Sequence, residues 1–367
     1  MSERVERLAA ELDTLGVDAL LVDSLVDVRY LTGFTGSNGL VLAVATSASE
    51  RLGAHRFLSD FRYAAQSAVQ VSALFEREIV TEDLAAELAE SIGELGGRLG
   101  FEDASVTVKE HARLVELLGE GWQLVPCSGA VKRLRAVKDA GEVAHIRAAC
   151  ELADEAMRLL LEDGLVGRTE QEVAVELELR MRRLGAQAAS FPTIVASGAH
   201  GALPHAVPRA EKIPVDVLVT IDWGALHEGY CSDCTRTYAT GEGVSAQARE
   251  IHALVLRAQQ VGLDALRAGP SGREVDAQAR EVIEKAGQGE NFGHGLGHGV
   301  GLEIHEAPRL SRSAPEDEPL LAGNVVTVEP GVYIPGVLGV RIEELAVVTD
   351  EGCDVLTGLP RELTVVG

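Results

Sequence analysis

The most chemically suggestive stretch of the sequence carries two aspartates, Asp222 and Asp233, on either side of a polar turn. A turn centred between His227 and Glu228 predicts an antiparallel hairpin in which these two aspartates face each other. Facing Cβ atoms lie about 4.5–5.5 Å apart, so two like charges there destabilise the sheet unless something positive lies between them. The spacing therefore indicates a metal ion or a shared proton. An off-centre turn, with both aspartates in solvent, is the alternative.

A second pair of acidic residues, Glu329 and Glu343, repeats this pattern further along the chain. Glu329 interrupts an otherwise apolar segment, and a turn around Gly336 brings it near Glu343. Arg341 precedes Glu343 by two residues and therefore lies on the same face of its strand, whereas Glu344 points the other way. An ordinary ion pair with Arg341 would explain one glutamate. Two carboxylate hairpins in one chain favour a shared site.

Candidate imidazoles come from a segment with alternating glycines, FGHGLGHGVGLEIHEAP. If this segment is extended, one face is bare backbone, and His294 and His298 project from the other. A nucleotide-binding loop is disfavoured, because no Gly-Lys-Ser/Thr ending and no preceding parallel strand accompany the glycines. His305 cannot be placed by periodicity, and His205, next to Pro204, is on its own more typical of a structural histidine.

Four carboxylates and at least one imidazole are a set of hard oxygen donors with one nitrogen donor. This set suits Mn²⁺, Co²⁺, Fe²⁺ or Zn²⁺ in a two-metal arrangement and differs from a thiolate zinc centre. Cys231 and Cys234 have CxxC spacing, but no second pair follows and strand alternation directs them to opposite faces. We therefore expect these two thiols to pack in the core.

The elements that must position these residues indicate two domains, as the length of 367 residues also does. Residues 1–130 alternate helix and strand signals, with a helix ending at Gly16, a strand at 18–23, a helix near 81–95 and a strand near 123–125. A basic stretch within 131–142 is the predicted linker. Residues 143–367 separate helices from hairpins, which predicts an α+β domain. Its predicted helices run from Val143 to Gly164, from the capping boxes Thr169/Glu172 and Ser271/Glu274, and from Ser245 to Gly269.

The composition excludes several classes of protein. A net charge of -24 opposes binding to nucleic acid or to an anionic membrane surface. The longest apolar runs are too short to span a bilayer, and the charged N-terminal segment is unlike a secretory signal, so we expect a cytoplasmic location. Five cysteines are an odd and sparse set, which suits reduced thiols.

Several motifs resemble those of a known family. DWGALHEGYCSDCTRT, GHGVGLEIHE and VEPGVYIPGVLGVRIEE resemble the metal-ligand motifs of the pita-bread metallopeptidases, in the branch of Xaa-Pro aminopeptidase and Xaa-Pro dipeptidase (prolidase). YLTGFTGSNG is similar to the signature of that branch's N-terminal domain, and ASGAHGALPHAVP resembles its substrate-pocket loop. The resemblance covers nearly the whole chain. It implies a creatinase-like α/β N-terminal domain followed by a pita-bread α+β catalytic domain.

The resemblance also implies roles for individual residues. Asp222 would bind one of two metal ions, Asp233 and Glu343 would bridge both, and His298 and Glu329 would complete the second. The catalytic residues implied are His205 and His305 facing the substrate, Glu329 as proton carrier, and Arg341 behind the ligands. The chain departs from the family at Cys234, usually aliphatic, and at Glu344, more often Asp, and neither is a ligand.

This resemblance predicts hydrolysis of Xaa-Pro bonds with two divalent metal ions, Mn²⁺ before Co²⁺ or Zn²⁺, in a homodimer acting on proline-containing peptides. TGFTGSNG favours an Xaa-Pro aminopeptidase, and prolidase is the alternative. The two differ in whether the space beyond the proline is blocked. The methionine aminopeptidase branch generally lacks the N-terminal domain, and creatinase lacks the intact metal set. An inactive pita-bread binding module is disfavoured by the complete set of ligands.

Overall fold

The computed structural model describes residues 2–367 and contains two compact units, divided between Arg135 and Ala136. The segment predicted as a linker, 131–142, contains most of a helix at Ala130–Ala136 and the start of another at Ala140. No helix of the described residues is long and apolar enough to cross a membrane.

The N-terminal unit is built on a mixed six-stranded sheet with strand order β4-β3-β2-β1-β5-β6. The two predicted helices and the two predicted strands are present, and the central strand β1 is buried along its whole length. The helices are α1 (Ser2–Leu15), α2 (Leu25–Thr32), α3 (Ser49–Leu52), α4 (Ala64–Gln70), α5 (Leu84–Ile92), α6 (Val108–Leu118) and α7 (Ala130–Ala136). The strands are β1 (Ala19–Val22), β2 (Leu40–Val44), β3 (His55–Asp60), β4 (Phe75–Val80), β5 (Gly97–Phe101) and β6 (Trp122–Pro126).

The C-terminal unit has four α-helices and several antiparallel ladders, as the α+β prediction required. The helices are α8 (Ala140–Glu162), α9 (Glu170–Arg183), α10 (Ala246–Ala265) and α11 (Gly272–Lys285). The strands are β7 (Ala188–Ala189), β8 (Ile194–Ser197), β9 (Leu218–Trp223), β10 (Ala225–His227), β11 (Tyr230–Cys231), β12 (Cys234–Ala239), β13 (Gly297–Gly299), β14 (Glu306–Leu310), β15 (Val325–Val328), β16 (Gly331–Ile334), β17 (Leu338–Arg341), β18 (Glu344–Val348) and β19 (Cys353–Val355).

Local sequence signals determine where these helices begin. Thr169 and Ser271 form complete capping boxes at α9 and α11, as predicted. Ser245 caps α10, but this helix ends at Ala265, short of the predicted end at Gly269, because Leu266 is already extended. The helices pack on β-strands that form the sheets β11-β10-β7, β12-β9-β8, β14-β13-β15-β18-β19 and β16-β17.

The predicted register of the first hairpin is wrong. The turn is centred between Glu228 and Gly229, which both have positive φ (48° and 81°), so the strands are joined by a two-residue loop of the kind that twists with them. Asp222 therefore pairs with Thr235. Asp233 lies two residues before Thr235, on the diagonal of Asp222, where long side chains still meet.

The predicted register of the second hairpin is confirmed. Val328 pairs with Glu344 and Gly331 pairs with Arg341, so both ladders keep one register around the turn at Gly336. Glu329 and Glu343 lie between the ladders, where this register places them opposite each other.

The alternating glycines serve close packing. His298 lies on β13, and a side chain at Gly297 or Gly299 would collide with the backbone carbonyl of Thr327 or Ala307. Only bare backbone fits between the neighbouring strands, so the glycine face is fixed against the sheet. The histidine face is therefore free to point into the cavity described next.

Candidate metal centre

All the site residues predicted from the sequence line one cavity of about 650 Å³ in the C-terminal unit. They come from separate elements: Asp222 from β9, Asp233 from the link between β11 and β12, His298 from β13, Glu329 from the residue after β15, and Arg341 and Glu343 from the end of β17 and the residues after it. His205 lies in the loop before β9, and His305 lies next to β14. The ligand-bearing segments are thus edges and joints of antiparallel strands.

Three carboxylates meet most closely. Asp222, Asp233 and Glu343 each have an oxygen within 4.8 Å of the others. Next to them, His298 Nε2 lies 3.3 Å from Glu329 Oε1 and 3.6 Å from Asp233 Oδ2. The five predicted ligands therefore form one continuous cluster.

Two carboxylate oxygens of this cluster are buried without a hydrogen-bond donor beside them among the described residues. Asp222 Oδ1 and Glu343 Oε1 are buried and have no hydrogen-bond partner among the residues described. Leaving a buried polar atom without a partner costs roughly 1–3 kcal/mol, and more for a charged one. Divalent cations bound by these oxygens would remove that cost, so the donor set fits metal ions.

The electrostatics of the cluster lead to the same conclusion. Burial, reinforced by neighbouring carboxylates, raises the pKa of Asp233 and of Glu343 well above the usual range. Burial also raises the pKa of Glu329 to about 7, although Arg341 opposes the shift. Burial lowers the pKa of His298 to about 3, which keeps its imidazole neutral, the form that binds metal. Burial and mutual repulsion therefore disfavour the charged forms of these carboxylates, and divalent ions would offset that penalty.

Arg341 orients two of the carboxylates. Its Nη2 donates to Asp222 Oδ2 at 2.7 Å, and its Nε donates to Thr235 Oγ1 at 3.0 Å. Thr235 donates in turn to Glu343 Oε2 at 2.6 Å. The sequence reasoning missed Thr235, although its period-two spacing from Asp233 on the same strand face was a usable signal.

A tyrosine extends this network away from the carboxylates. Arg341 Nη1 donates to the Tyr333 hydroxyl at 2.8 Å, and that hydroxyl lies 3.0 Å from His294 Nε2. Burial lowers the pKa of His294 to about 4, so its ring is neutral. His294 projects on the same side as His298, as predicted, but it contacts Tyr333 rather than the carboxylate cluster.

The rest of the cavity lining is mainly apolar and also includes His205, His305 and Arg309. The ring of His305 lies 4.4 Å from that of His298, and burial together with Arg309 lowers the pKa of His305. Arg309 pairs with His298 across β13 and β14 and lines the cavity. Arg309 was not among the residues predicted from the sequence. The apolar lining includes Phe191, Pro192, Ile194, Val207 and Ile304.

The CxxC cysteines pack in separate clusters. Cys231 lies in a buried cluster with Tyr230, and Cys234 lies in another with Trp223. Cys234 Sγ accepts a hydrogen bond from Arg236 Nη1 at 3.2 Å. All five cysteines of the chain are free thiols.

We expect Cys231→Ser and Cys234→Ser each to keep activity within a few-fold of the unmodified chain, because both thiols fill space in the core. The measurements are turnover per folded molecule and metal content per chain. A large loss of metal in either variant would show that the thiol belongs to the metal site.

The fold and the carboxylate-rich cavity together define a metallopeptidase. The model of metallopeptidase family M24 matches residues 144–350, and that of the creatinase/prolidase N-terminal domain matches residues 4–137. The chain belongs to metallopeptidase family M24. The two-domain fold class expected from the sequence is therefore confirmed.

The chain is similar over its full length to several peptidases. It is 36% identical to an Xaa-Pro dipeptidase of Pyrococcus furiosus, over 99% of this chain and 100% of that protein. The solved structure of an Xaa-Pro dipeptidase from Bacillus anthracis is 41% identical, with a TM-score of 0.93 and 99% coverage of both chains. An X-Pro aminopeptidase structure from Thermotoga maritima is 36% identical, with a TM-score of 0.88 and coverage of 99% and 100%.

Proposed function

We propose that this chain is an Xaa-Pro dipeptidase, a prolidase that cleaves dipeptides with proline second. The observation that carries the metal-dependent chemistry is the buried carboxylate cluster with two unpartnered oxygens. The full-length similarity to Xaa-Pro dipeptidases supports the dipeptidase alternative better than the aminopeptidase that the sequence favoured. Because the similar structure from Thermotoga maritima is an X-Pro aminopeptidase, that activity is the second candidate function.

The substrate requires a dedicated site. An Xaa-Pro bond has no N–H and a fixed φ, so it cannot be held as an ordinary hydrogen-bonded strand. The cavity offers an apolar wall to the proline ring through Phe191, Ile304 and Val207. Arg309, which also lines the cavity, offers a cation to the free carboxylate that every dipeptide carries after its proline.

The metal-holding residues in this proposal are Asp222, Asp233, His298, Glu329 and Glu343. When bound, two divalent ions supply a water whose pKa is lowered from 15.7 to about 7. The oxygen-rich donor set favours Mn²⁺. Metal analysis of the purified chain, followed by stripping and reloading with Mn²⁺, Co²⁺ or Zn²⁺, tests both the stoichiometry and the preference. Full dipeptidase activity in metal-free protein would overturn the assignment.

In this proposal four side chains take the other roles in catalysis: proton transfer, stabilisation of the developing charge, substrate binding and orientation of a metal ligand. Glu329 takes a proton from the attacking water and delivers it to the proline nitrogen as the bond breaks. His205 donates a hydrogen bond to the oxygen that gains charge, and His305 steadies a substrate carbonyl. Arg341 keeps Asp222 oriented through its 2.7 Å contact.

Comparing dipeptides with tripeptides tests the function directly. The metal-loaded chain should hydrolyse Xaa-Pro faster than Xaa-Pro-Xaa. Equal or faster release of the first residue from the tripeptide would establish the aminopeptidase instead. If the chain hydrolyses neither Xaa-Pro nor Xaa-Pro-Xaa, the result would favour a catalytically inactive binding module.

Arg309 gives the dipeptidase proposal its own prediction. No hydrogen bond or ion pair occupies its guanidinium within the described part of the chain, so it is available to a substrate carboxylate. We expect Arg309→Gln to raise the KM for Xaa-Pro about 10- to 100-fold, since a charge-assisted hydrogen bond contributes roughly 1.5–3 kcal/mol. The amide Xaa-Pro-NH₂ should be hydrolysed almost equally by both forms.

The control is Arg312→Gln, because Arg312 is exposed and pairs with Glu284. If Arg309→Gln still hydrolyses Xaa-Pro in preference to Xaa-Pro-NH₂, Arg309 does not recognise the substrate carboxylate.

The homodimer and the cytoplasmic location are also proposals. The homodimer rests on the resemblance to the family, and the cytoplasmic location rests on sequence features. Analytical ultracentrifugation of the purified chain tests the first, and fractionation of the source cells tests the second.

A further inference from the structure

A buried glutamate outside the cavity collects an unusual number of hydrogen bonds. Glu170 begins α9 and is 0% exposed. Its carboxylate accepts from Ser197 N and Oγ, both at 2.8 Å, and from Arg209 N at 3.0 Å. Arg209 Nε and Nη2 add two contacts at 3.2 Å, and His200 Nδ1 lies 2.9 Å away. None of these residues lines the cavity or belongs to the carboxylate cluster.

These contacts tie down one segment of chain, residues 197–209. Ser197 ends β8, His200 lies in the short turn that follows, and Arg209 is at the far end. A single carboxylate thus holds the first, the fourth and the last residue of a segment that has no regular secondary structure after residue 202. The backbone adds a contact at the same end, from Gln171 N to Arg209 O at 3.1 Å.

The segment carries the part of the cavity wall that contains His205. His205, Val207 and Pro208 all line the cavity, and they lie between His200 and Arg209. The His205 residue is exposed, so core packing does not hold its ring and the backbone must place it. On the cavity side the segment has one further polar tie, from Arg341 Nη1 to Pro204 O at 3.2 Å.

The negative charge of Glu170 strengthens the hydrogen bonds that hold the 197–209 segment. Burial opposes its ionisation, but hydrogen bonds from Arg209 and Ser197 outweigh burial and hold the pKa of Glu170 below its usual range. Its place in the first turn of α9 adds the favourable helix dipole. Each contact is made to a charged acceptor and is therefore stronger than a neutral hydrogen bond.

We propose that Glu170 is a positioning residue for catalysis: it fixes the 197–209 segment and so holds His205 against the substrate. The inference rests on the proposed function in its assignment of His205. Glu170 itself touches neither metal ligand nor substrate. In Glu170→Gln an amide replaces one oxygen, so at least one donor of the segment loses its partner.

The test compares Glu170→Gln with Glu172→Gln in the full, Mn²⁺-loaded chain. Glu172 is exposed and accepts only from the start of its own helix, where glutamine serves equally well. We expect Glu170→Gln to lower kcat for Xaa-Pro about 10²-fold, the cost of a misplacement near 1 Å, with metal content unchanged. Glu172→Gln should match the unmodified chain.

A double variant separates positioning from a general structural role. If Glu170 acts through His205, adding Glu170→Gln to His205→Ala should lower kcat little further, because coupled residues are not additive. A further loss of about 10²-fold in the double variant would overturn the inference. If Glu170→Gln does not fold, Ser197→Ala, which removes one contact and leaves the carboxylate, is expected to give a smaller loss of the same kind.

Trypsin cleavage after Arg209 gives a readout that needs no substrate. Glu170→Gln should release the segment and speed this cleavage, whereas Glu172→Gln should not. Equal cleavage in both variants would overturn the inference even if the enzyme is active. If the unmodified chain hydrolyses no Xaa-Pro peptide, the proposed function fails, and the cleavage rates alone decide whether Glu170 fixes the segment.

Discussion

Asp233→Asn is expected to abolish Xaa-Pro hydrolysis and to lower the bound metal, while the protein remains folded. Asp233 has an oxygen within 4.8 Å of oxygens from Asp222 and Glu343, and its Oδ2 lies 3.6 Å from His298 Nε2, so it joins the three carboxylates to the imidazole. An amide has the same shape but brings no negative charge and only one acceptor atom. Losing a residue that merely supports a ligand costs 10–100-fold in metal affinity or activity, and losing a shared ligand should cost more.

The same change should leave the metal-free protein at least as stable as before. Burial and three neighbouring carboxylates disfavour the charge on Asp233, so a neutral asparagine costs no more than aspartate when no metal is present. Mn²⁺ should raise the Tm of the unmodified chain, because a ligand that binds only the folded state stabilises it. In Asp233→Asn this rise should disappear.

The measurements are metal per chain, Tm with and without Mn²⁺, and kcat on one preparation. Asp154→Asn is a suitable control, since Asp154 is a half-buried carboxylate that accepts from Gly358 N and does not line the cavity. Full metal content and normal turnover in Asp233→Asn would remove Asp233 from the bridging role.

Local signals in the sequence predicted much of the scaffold. The capping residues Thr169 and Ser271 define the starts of their helices because side-chain caps are local interactions. The second hairpin was predicted in register because Gly336, with φ of 73°, is a residue suited to a tight turn. The first hairpin was misplaced because its turn puts Glu228 at positive φ, which is uncommon for a residue with a side chain.

Residues whose role depends on distant parts of the chain could not be found this way. Glu170 reads as an acidic residue in a first helical turn, and its partners Ser197 and Arg209 become neighbours only when the chain folds. Arg309 faces the cavity beside a shift of register between His298 and Gly299, and such a bulge has no clear signature in the sequence.

His205→Ala is expected to keep both metal ions and to lose most of kcat. His205 lies on the cavity wall but outside the strands that carry the carboxylate cluster, so its removal takes away no metal ligand. In the proposed mechanism its imidazole donates to the oxygen on which charge develops. Removing one such donor costs about 10²–10³ in kcat, or roughly 2.7–4 kcal/mol of transition-state stabilisation.

A purely structural histidine would behave differently, lowering the Tm and the folded fraction while turnover per folded molecule stayed normal. Metal stoichiometry, Tm and kcat measured on the same preparation separate the two roles. His227→Ala is the matched control, because His227 lies at the end of β10 and does not line the cavity. Because His205 is exposed and little packing holds it, its loss should barely change the Tm. A His205→Ala variant that is destabilised but turns over normally would contradict the catalytic role of His205. It would also remove the reason to propose that Glu170 holds the 197–209 segment for catalysis.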